Sequence, residues 1–146
     1  MIFQYTWEQV LAGEKVSTRR PVKKGQRAVT QNDRITSVVA SLTNGERTVY
    51  ALGGIYAVQP GRTKKAVGRI GVTGLRREDV RQISERDARA EGFKSRRDFL
   101  RLWTQMYDKP AVSLMEDAAW ETAMKARPAR LYDAWVLEFE RVAPEE

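Results

Sequence analysis

The last apolar pattern in the chain constrains its fold most. Across residues 132–142, Trp135, Leu137 and Phe139 alternate with Val136, Glu138 and Glu140, the period of two that marks a strand with one buried face. Helical patterning precedes this segment, and the other strand signals all lie earlier, so the strand has to travel back to a sheet already built. That return predicts an α+β fold: a mixed β-barrel of about five to six strands with helices packed outside.

The earlier elements are read from turn chemistry and period. Residues 5–11 read as a short helix with Trp7, Val10 and Leu11 on one face, and Gly13 is placed for a left-handed cap. Residues 16–20 read as extended and stop at Pro21, and Lys24-Gly25 marks a turn. From about Arg27 to Leu75 the signals are those of strands. Residues 35–42 and 47–52 flank Asn44-Gly45, a strong hairpin signal; residues 55–58 follow the break at Gly53-Gly54; residues 66–75 form the longest run after Pro60-Gly61. Helices come next, with Ser84-x-x-Asp87, Ser95-x-x-Asp98 and Ser113-x-x-Glu116 as capping starts. The first ends at Gly92. The second, residues 96–107, carries Phe99, Leu102, Trp103 and Met106 at helical spacing, which reads as core, and Pro110 closes it. A third spans residues 114–125.

Composition removes whole classes of chemistry. The chain has no Cys and no His. Disulfides, cysteine nucleophiles, Ser-His hydrolases and ordinary zinc sites are excluded, and acid/base work falls to Lys, Glu, Asp or Tyr. No metal or cofactor is expected. Of the 26 basic residues 18 are Arg, and the formal charge is +7. The guanidinium fork fits phosphate oxygens, so an RNA or nucleoside partner is expected. No apolar run approaches the ~20 residues of a membrane span, and the first residues lack a signal pattern, which predicts a cytoplasmic protein without membrane contact. Residues 1–146 read as one domain.

Two stretches could carry chemistry. In Gly13-Glu14-Lys15-Val16-Ser17-Thr18-Arg19-Arg20, a strand from Val16 projects Thr18 and Arg20 to one face, with Lys15 able to bend back toward it. An amine near cations, or in a dry pocket, has its pKa lowered and can act as a base. A capped helix followed by a basic edge strand gives the same spacing. The second stretch is Tyr56 to Arg69, a basic turn in which Arg62, Lys64, Lys65 and Arg69 could contact phosphate while Tyr56 stacks on a base. A solvated Lys-Lys turn reads identically.

Leu11 to Arg20 resembles the Gly-x-Lys-x-x-Thr-x-Arg signature of the ASCH family, within the PUA-like superfamily. Residues 83–93 (Ile83-Ser84 through Asp87-Ala88 to Glu91-Gly92-Phe93) are similar to a second family segment; residues 95–107 resemble its Trp-bearing helix and residues 135–140 its closing strand. Gln26 stands where many members have Asp, residues 32–54 diverge, and residues 112–130 look like a helical insertion. The resemblance implies a PUA-like barrel with a basic cleft for RNA or a modified nucleoside. Some bacterial members hydrolyse the acetyl amide of acetylcytidine with a Lys, a Thr and a Glu, which fall here on Lys15, Thr18 and Glu91. Glu91, at a helix C-terminus, would protonate or position the leaving amine, since the negative end of a helix favours a carboxyl that holds its proton. Arg20 and Tyr56 would bind substrate, and Arg19 would join the nucleic-acid contacts. RNA binding without turnover leads, ahead of acetylcytidine amidohydrolase and of a ribonuclease in the same cleft.

Overall fold

The left-handed turn at Gly13 (φ 77°) stops the first helix, α1 (Trp7–Ala12), where its spacing predicts. The chain then extends as β1 (Ser17–Pro21) and enters an antiparallel meander of β2 (Gln26–Gln31), β3 (Arg34–Leu42) and β4 (Gly45–Ala51). Strands β5 (Ile55–Val58) and β6 (Gly68–Asp79) follow. Four helices come next, α2 (Glu85–Ala90), α3 (Arg96–Tyr107), α4 (Pro110–Ser113) and α5 (Asp117–Lys125), and then the closing strand β7 (Asp133–Val142). This computed structural model describes residues 1–143.

Strand β7 inserts between β1 and β6, giving a sheet of order β1-β7-β6-β5, while β2-β3-β4 form a second sheet. The returning strand is therefore central. Ala134, Trp135, Val136 and Leu137 are all fully buried, where the alternation predicts a single buried face. Both faces are covered: Ala134 packs among the helices, and Trp135 and Leu137 pack with Val38 of the second sheet.

The α+β class is as expected, but the barrel is not. Pairing in both sheets is antiparallel, and among the described residues no ring of strands closes. Two backbone bonds stitch the sheets, Gly53 N–H to Val72 O at 2.8 Å and Val72 N–H to Gly54 O at 2.9 Å. Among the described residues there are seven strands, because polar β2 turns into β3 through Asn32 and Asp33, both at positive φ (51° and 61°).

Two of the three capping starts form. The Ser84 and Ser95 hydroxyls accept the backbone N–H groups of Asp87 and Asp98. Ser113 instead ends α4 and donates to the Pro110 carbonyl at 2.7 Å. Pro110, expected to close the preceding helix, instead opens α4 at a position where a missing N–H costs nothing, and the helix expected over residues 114–125 begins later, at Asp117. The end of α3 is clasped to the segment after α5. Tyr132 donates to Asp108 at 2.7 Å and Arg127 Nε donates to the same carboxylate at 3.0 Å. No helix among the described residues is long and apolar enough to cross a membrane.

Candidate functional site

Lys15 enters the interior because the backbone on either side of it is clamped. Val16 N–H donates to the Ala90 carbonyl at 2.8 Å, and the Val16 carbonyl accepts Phe139 N–H at 3.0 Å, so the connector lies between the end of α2 and β7. The Lys15 side chain is 4% exposed. Its Nζ donates to the Glu91 main-chain carbonyl at 2.6 Å and lies 3.8 Å from Glu91 Oε2. Glu91 follows the last turn of α2, and Gly92 at φ 93° turns the chain away behind it.

The Glu91 carboxylate is held entirely by donors and cations. Oε1 accepts Arg19 N–H at 2.9 Å, Oε2 accepts the Ser17 hydroxyl at 3.0 Å, and Oε2 lies 3.6 Å from Arg19 Nη1. Neither Arg89 nor Lys94, the neighbours in sequence that could have paired with it, is involved. Arg19 is in turn fixed from β6 and α2, through Glu78 at 3.1 Å and Asp87 at 3.3 Å. Such charge-assisted bonds anchor the carboxylate between α2 and β1.

Burial pushes the Lys15 amine down to about 8; the Glu91 carboxylate opposes this, while the Arg20 and Arg19 guanidiniums add to the lowering. Lys15, Thr18 and Glu91 line one cleft of about 410 Å³. Thr18 is 4% exposed, and among the described residues no hydrogen bond joins its hydroxyl to Lys15 or Glu91. Catalytic hydrogen bonds in empty enzymes are often loose in this way.

One wall of the cleft is aromatic. Phe93, Phe99, Trp103 and Tyr107 line it in sequence, with successive ring centroids 5.4, 6.1 and 4.5 Å apart. Phe99 and Trp103 belong to the core, as their helical spacing predicts, and they also face the cleft with Leu102 and Met106. Phe3 and Tyr5, from the turn that leads into α1, also line it, with the Arg20 guanidinium 4.9 Å from the Phe3 ring centre. A cleft with a wall of rings suits a flat heteroaromatic ligand.

The other sequence-predicted residues divide. Arg20 and Arg62 line the cleft. Lys64 and Lys65 are exposed outside its lining. Arg19 is a correction: it lines the cleft, but its side chain is 0% exposed and lies among three carboxylates, with a buried Nη1 that has no hydrogen-bond partner, so the guanidinium is committed to the interior and not to a nucleic acid. Tyr56 is another, since its ring packs between two core clusters and its hydroxyl accepts Ala51 N–H at 2.8 Å. Arg69 lies away from the cleft, on a hollow with Leu11 and Arg141, and donates to the Ala143 carbonyl. Ser17, Lys23 and Tyr107 were missed. Period two could have found Ser17, which lies one residue from Thr18 and therefore on the opposite side of β1, toward Glu91.

No family model matches the sequence, and no curated protein matches it. Solved structures do. A structure described as an ASCH domain from Lactobacillus crispatus JV V101 is 16% identical with a TM-score of 0.52, over 95% of this chain and 74% of that one. The hypothetical protein PH0355 is 16% identical with a TM-score of 0.51, over 97% of this chain and 96% of that one. Protein EF3133 from Enterococcus faecalis V583, described under DUF984, is 13% identical with a TM-score of 0.51, over 93% and 69%. These likenesses concern the fold.

Proposed function

We propose, taking as premise the ASCH-domain fold, that the cleft binds an acylated nucleoside and hydrolyses its amide, with acetylcytidine as the first substrate to test. One observation carries the reading: a buried amine brought down to about 8 shares a cleft with a hydroxyl and a buried carboxylate. Neutral Lys15 takes the Thr18 proton as the Thr18 oxygen attacks the acetyl carbonyl carbon. The carbon–nitrogen bond then breaks, and the Lys15 ammonium returns that proton to the leaving exocyclic amine. Water hydrolyses the resulting ester, releasing acetate and restoring the hydroxyl. Glu91 is assigned a positioning role: its carbonyl holds Lys15, and its carboxylate ties Ser17 and Arg19 of β1 in place around Thr18.

Incubating the protein with acetylcytidine between pH 6 and 9, and following cytidine by mass spectrometry beside Lys15→Ala and Thr18→Ala, tests this. Release with an acid limb near pH 8 that both variants abolish is the expected result. Release that survives Lys15→Ala would overturn the assignment. The second reading is a binding module for a base within RNA, without turnover. It is favoured by the absence of a hydrogen bond from Thr18 to Lys15, and it predicts affinity for RNA with no cytidine released. A ribonuclease would need the same amine to take a ribose 2′-hydroxyl proton, and RNA cleavage lost in Lys15→Ala would reveal it.

A further inference from the structure

We propose that the ligand of this cleft carries a phosphate, seated on Arg20, Lys23 and Arg62 at the rim, so that the substrate is a nucleotide, free or within RNA, rather than a bare nucleoside. The proposal rests on the preceding reading for the base and acyl end of the ligand and adds the other end.

Arg20 is the key residue. Its guanidinium is half-buried in the cleft wall, its Nε is buried without a hydrogen-bond partner, and its one hydrogen bond runs from Nη2 to the Ile2 carbonyl at 2.7 Å. Among the described residues no carboxylate pairs with it. Its neighbour Arg19 is held by three carboxylates, and Arg76, Arg77, Arg81 and Arg127 each have at least one. A half-buried guanidinium whose Nε is withdrawn from water beside an open cleft, lacking a counter-charge, is matched by an anion on the ligand.

Lys23, in the connector after β1, and Arg62, in the loop between β5 and β6, line the same cleft. Neither has an ion-pair partner among the described residues. The loop is also strained: Thr63 takes φ 66°, a left-handed conformation that a β-branched residue rarely adopts and that persists where its surroundings impose it. The turn falls directly after Arg62, so Arg62 reaches the cleft while Lys64 and Lys65 stay outside. Three cations from three segments, beside a wall of rings, match a ligand with a flat base and a phosphate.

Calorimetric titration of the full chain with cytidine, cytidine 5′-monophosphate, inorganic phosphate and a short cytidine oligoribonucleotide tests the seat. The monophosphate is expected to bind at least about tenfold tighter than cytidine, by a margin that shrinks with added salt. The double variant Lys23→Gln/Arg62→Gln, checked for folding by circular dichroism, should cut that ratio several-fold, leaving only the share that Arg20 holds. Tighter binding of the oligoribonucleotide than of the monophosphate would identify RNA as the source, and the reverse a free nucleotide. Equal affinities for cytidine and its monophosphate, or a ratio the double variant leaves intact, would overturn the proposal. None of these ligands carries an acyl group. Phosphate-dependent binding with no turnover of either acetylcytidine or its 5′-monophosphate would remove only the hydrolase reading, and turnover with equal affinities would remove only this one.

Discussion

Replacing Lys15 by Met removes one buried charge and keeps the length of the side chain, which makes the electrostatic cost of that charge measurable. Burial holds the amine at about 8 in the folded protein, against an ordinary value of 10.5. The folded value is the lower one, so between pH 8 and 10.5 the unfolded chain binds more protons and stability rises with pH across that window. Below pH 8 the penalty is fully present; at about 1.4 kcal/mol per pH unit it comes to about 3 kcal/mol. At pH 10 less than about 1 kcal/mol remains, because the unfolded lysine is itself close to losing its proton. Met relieves that penalty and loses the bond to the Glu91 carbonyl at both pH values, so the lost bond cancels in the comparison. Relative to the parent, Lys15→Met should lose about 2 kcal/mol between pH 7 and pH 10. Urea unfolding of both proteins at the two pH values measures this. A stability difference that does not change with pH would refute the reasoning and, with it, the premise that Lys15 can act as a base. With the lowered value about 10% of the amine is neutral at pH 7, against roughly 0.03% for an ordinary lysine, a gain of about 300-fold in competent enzyme.

Other perturbations test the supports of the site. Glu91→Gln leaves Lys15 and Arg19 without their shared counter-charge, so a loss of about 3–5 kcal/mol in urea unfolding is expected. It should also lower the Lys15 amine further, moving the acid limb of any activity below pH 8, because the carboxylate is what opposes the effect of burial. Gly92→Ala forces an L-residue to φ 93° while its Cβ meets Gln9, Lys15 and Thr6 only at ordinary contact distance, so about 1–2 kcal/mol of backbone strain should appear as a lower melting temperature. Burial alone pushes the Asp108 carboxyl up, but Arg127 and Tyr132 hold it below the usual range. Its contribution is therefore present at neutral pH and lost as acid protonates it. Asp108→Asn should cost stability at pH 7 and flatten the acid branch of the stability curve.

The sequence carried the local elements well and the long-range assembly poorly, for a physical reason. Helix ends are written in adjacent residues: Ser95 caps α3 three residues ahead of Asp98, and Gly92 turns the chain at the end of α2. The return of the last strand was legible too, since a period of two far from the other strands leaves few places for it. Its central position was not, because Val136 reads as the exposed member of an alternating pair until β1 and β6 flank it and both faces are covered. The site divides along the same line. Lys15 and Thr18 lie three residues apart and were visible together, and Glu91 was reached through resemblance alone. Its real partners, Ser17 and Arg19, stand 74 and 72 residues away in the chain, so its neighbours Arg89 and Lys94 were the only candidates spacing could offer.

Net charge was a weaker guide than charge pairing. A formal charge of +7 with 18 arginines points to a polyanion but does not say which arginines would touch it. Most of those that stand out in sequence are committed inside the fold. Arg19 is held by Glu78, Asp87 and Glu91; Arg76 bonds Glu78 and Asp87; Arg77 bonds Asp133; Arg101 bonds Asp117. Exposed pairs of this kind contribute little stability, about 0–1 kcal/mol each, but each removes a guanidinium from the set able to meet a ligand. Arg19 and Arg20 show the consequence most clearly. Adjacent in sequence and identical in type, they end on opposite sides of β1: each has one buried nitrogen without a hydrogen bond, Nη1 in Arg19 and Nε in Arg20, but Arg19 lies among three carboxylates and Arg20 has none. Strand parity made that division, and it is why Arg20, not Arg19, is the arginine of this pair left to meet a ligand.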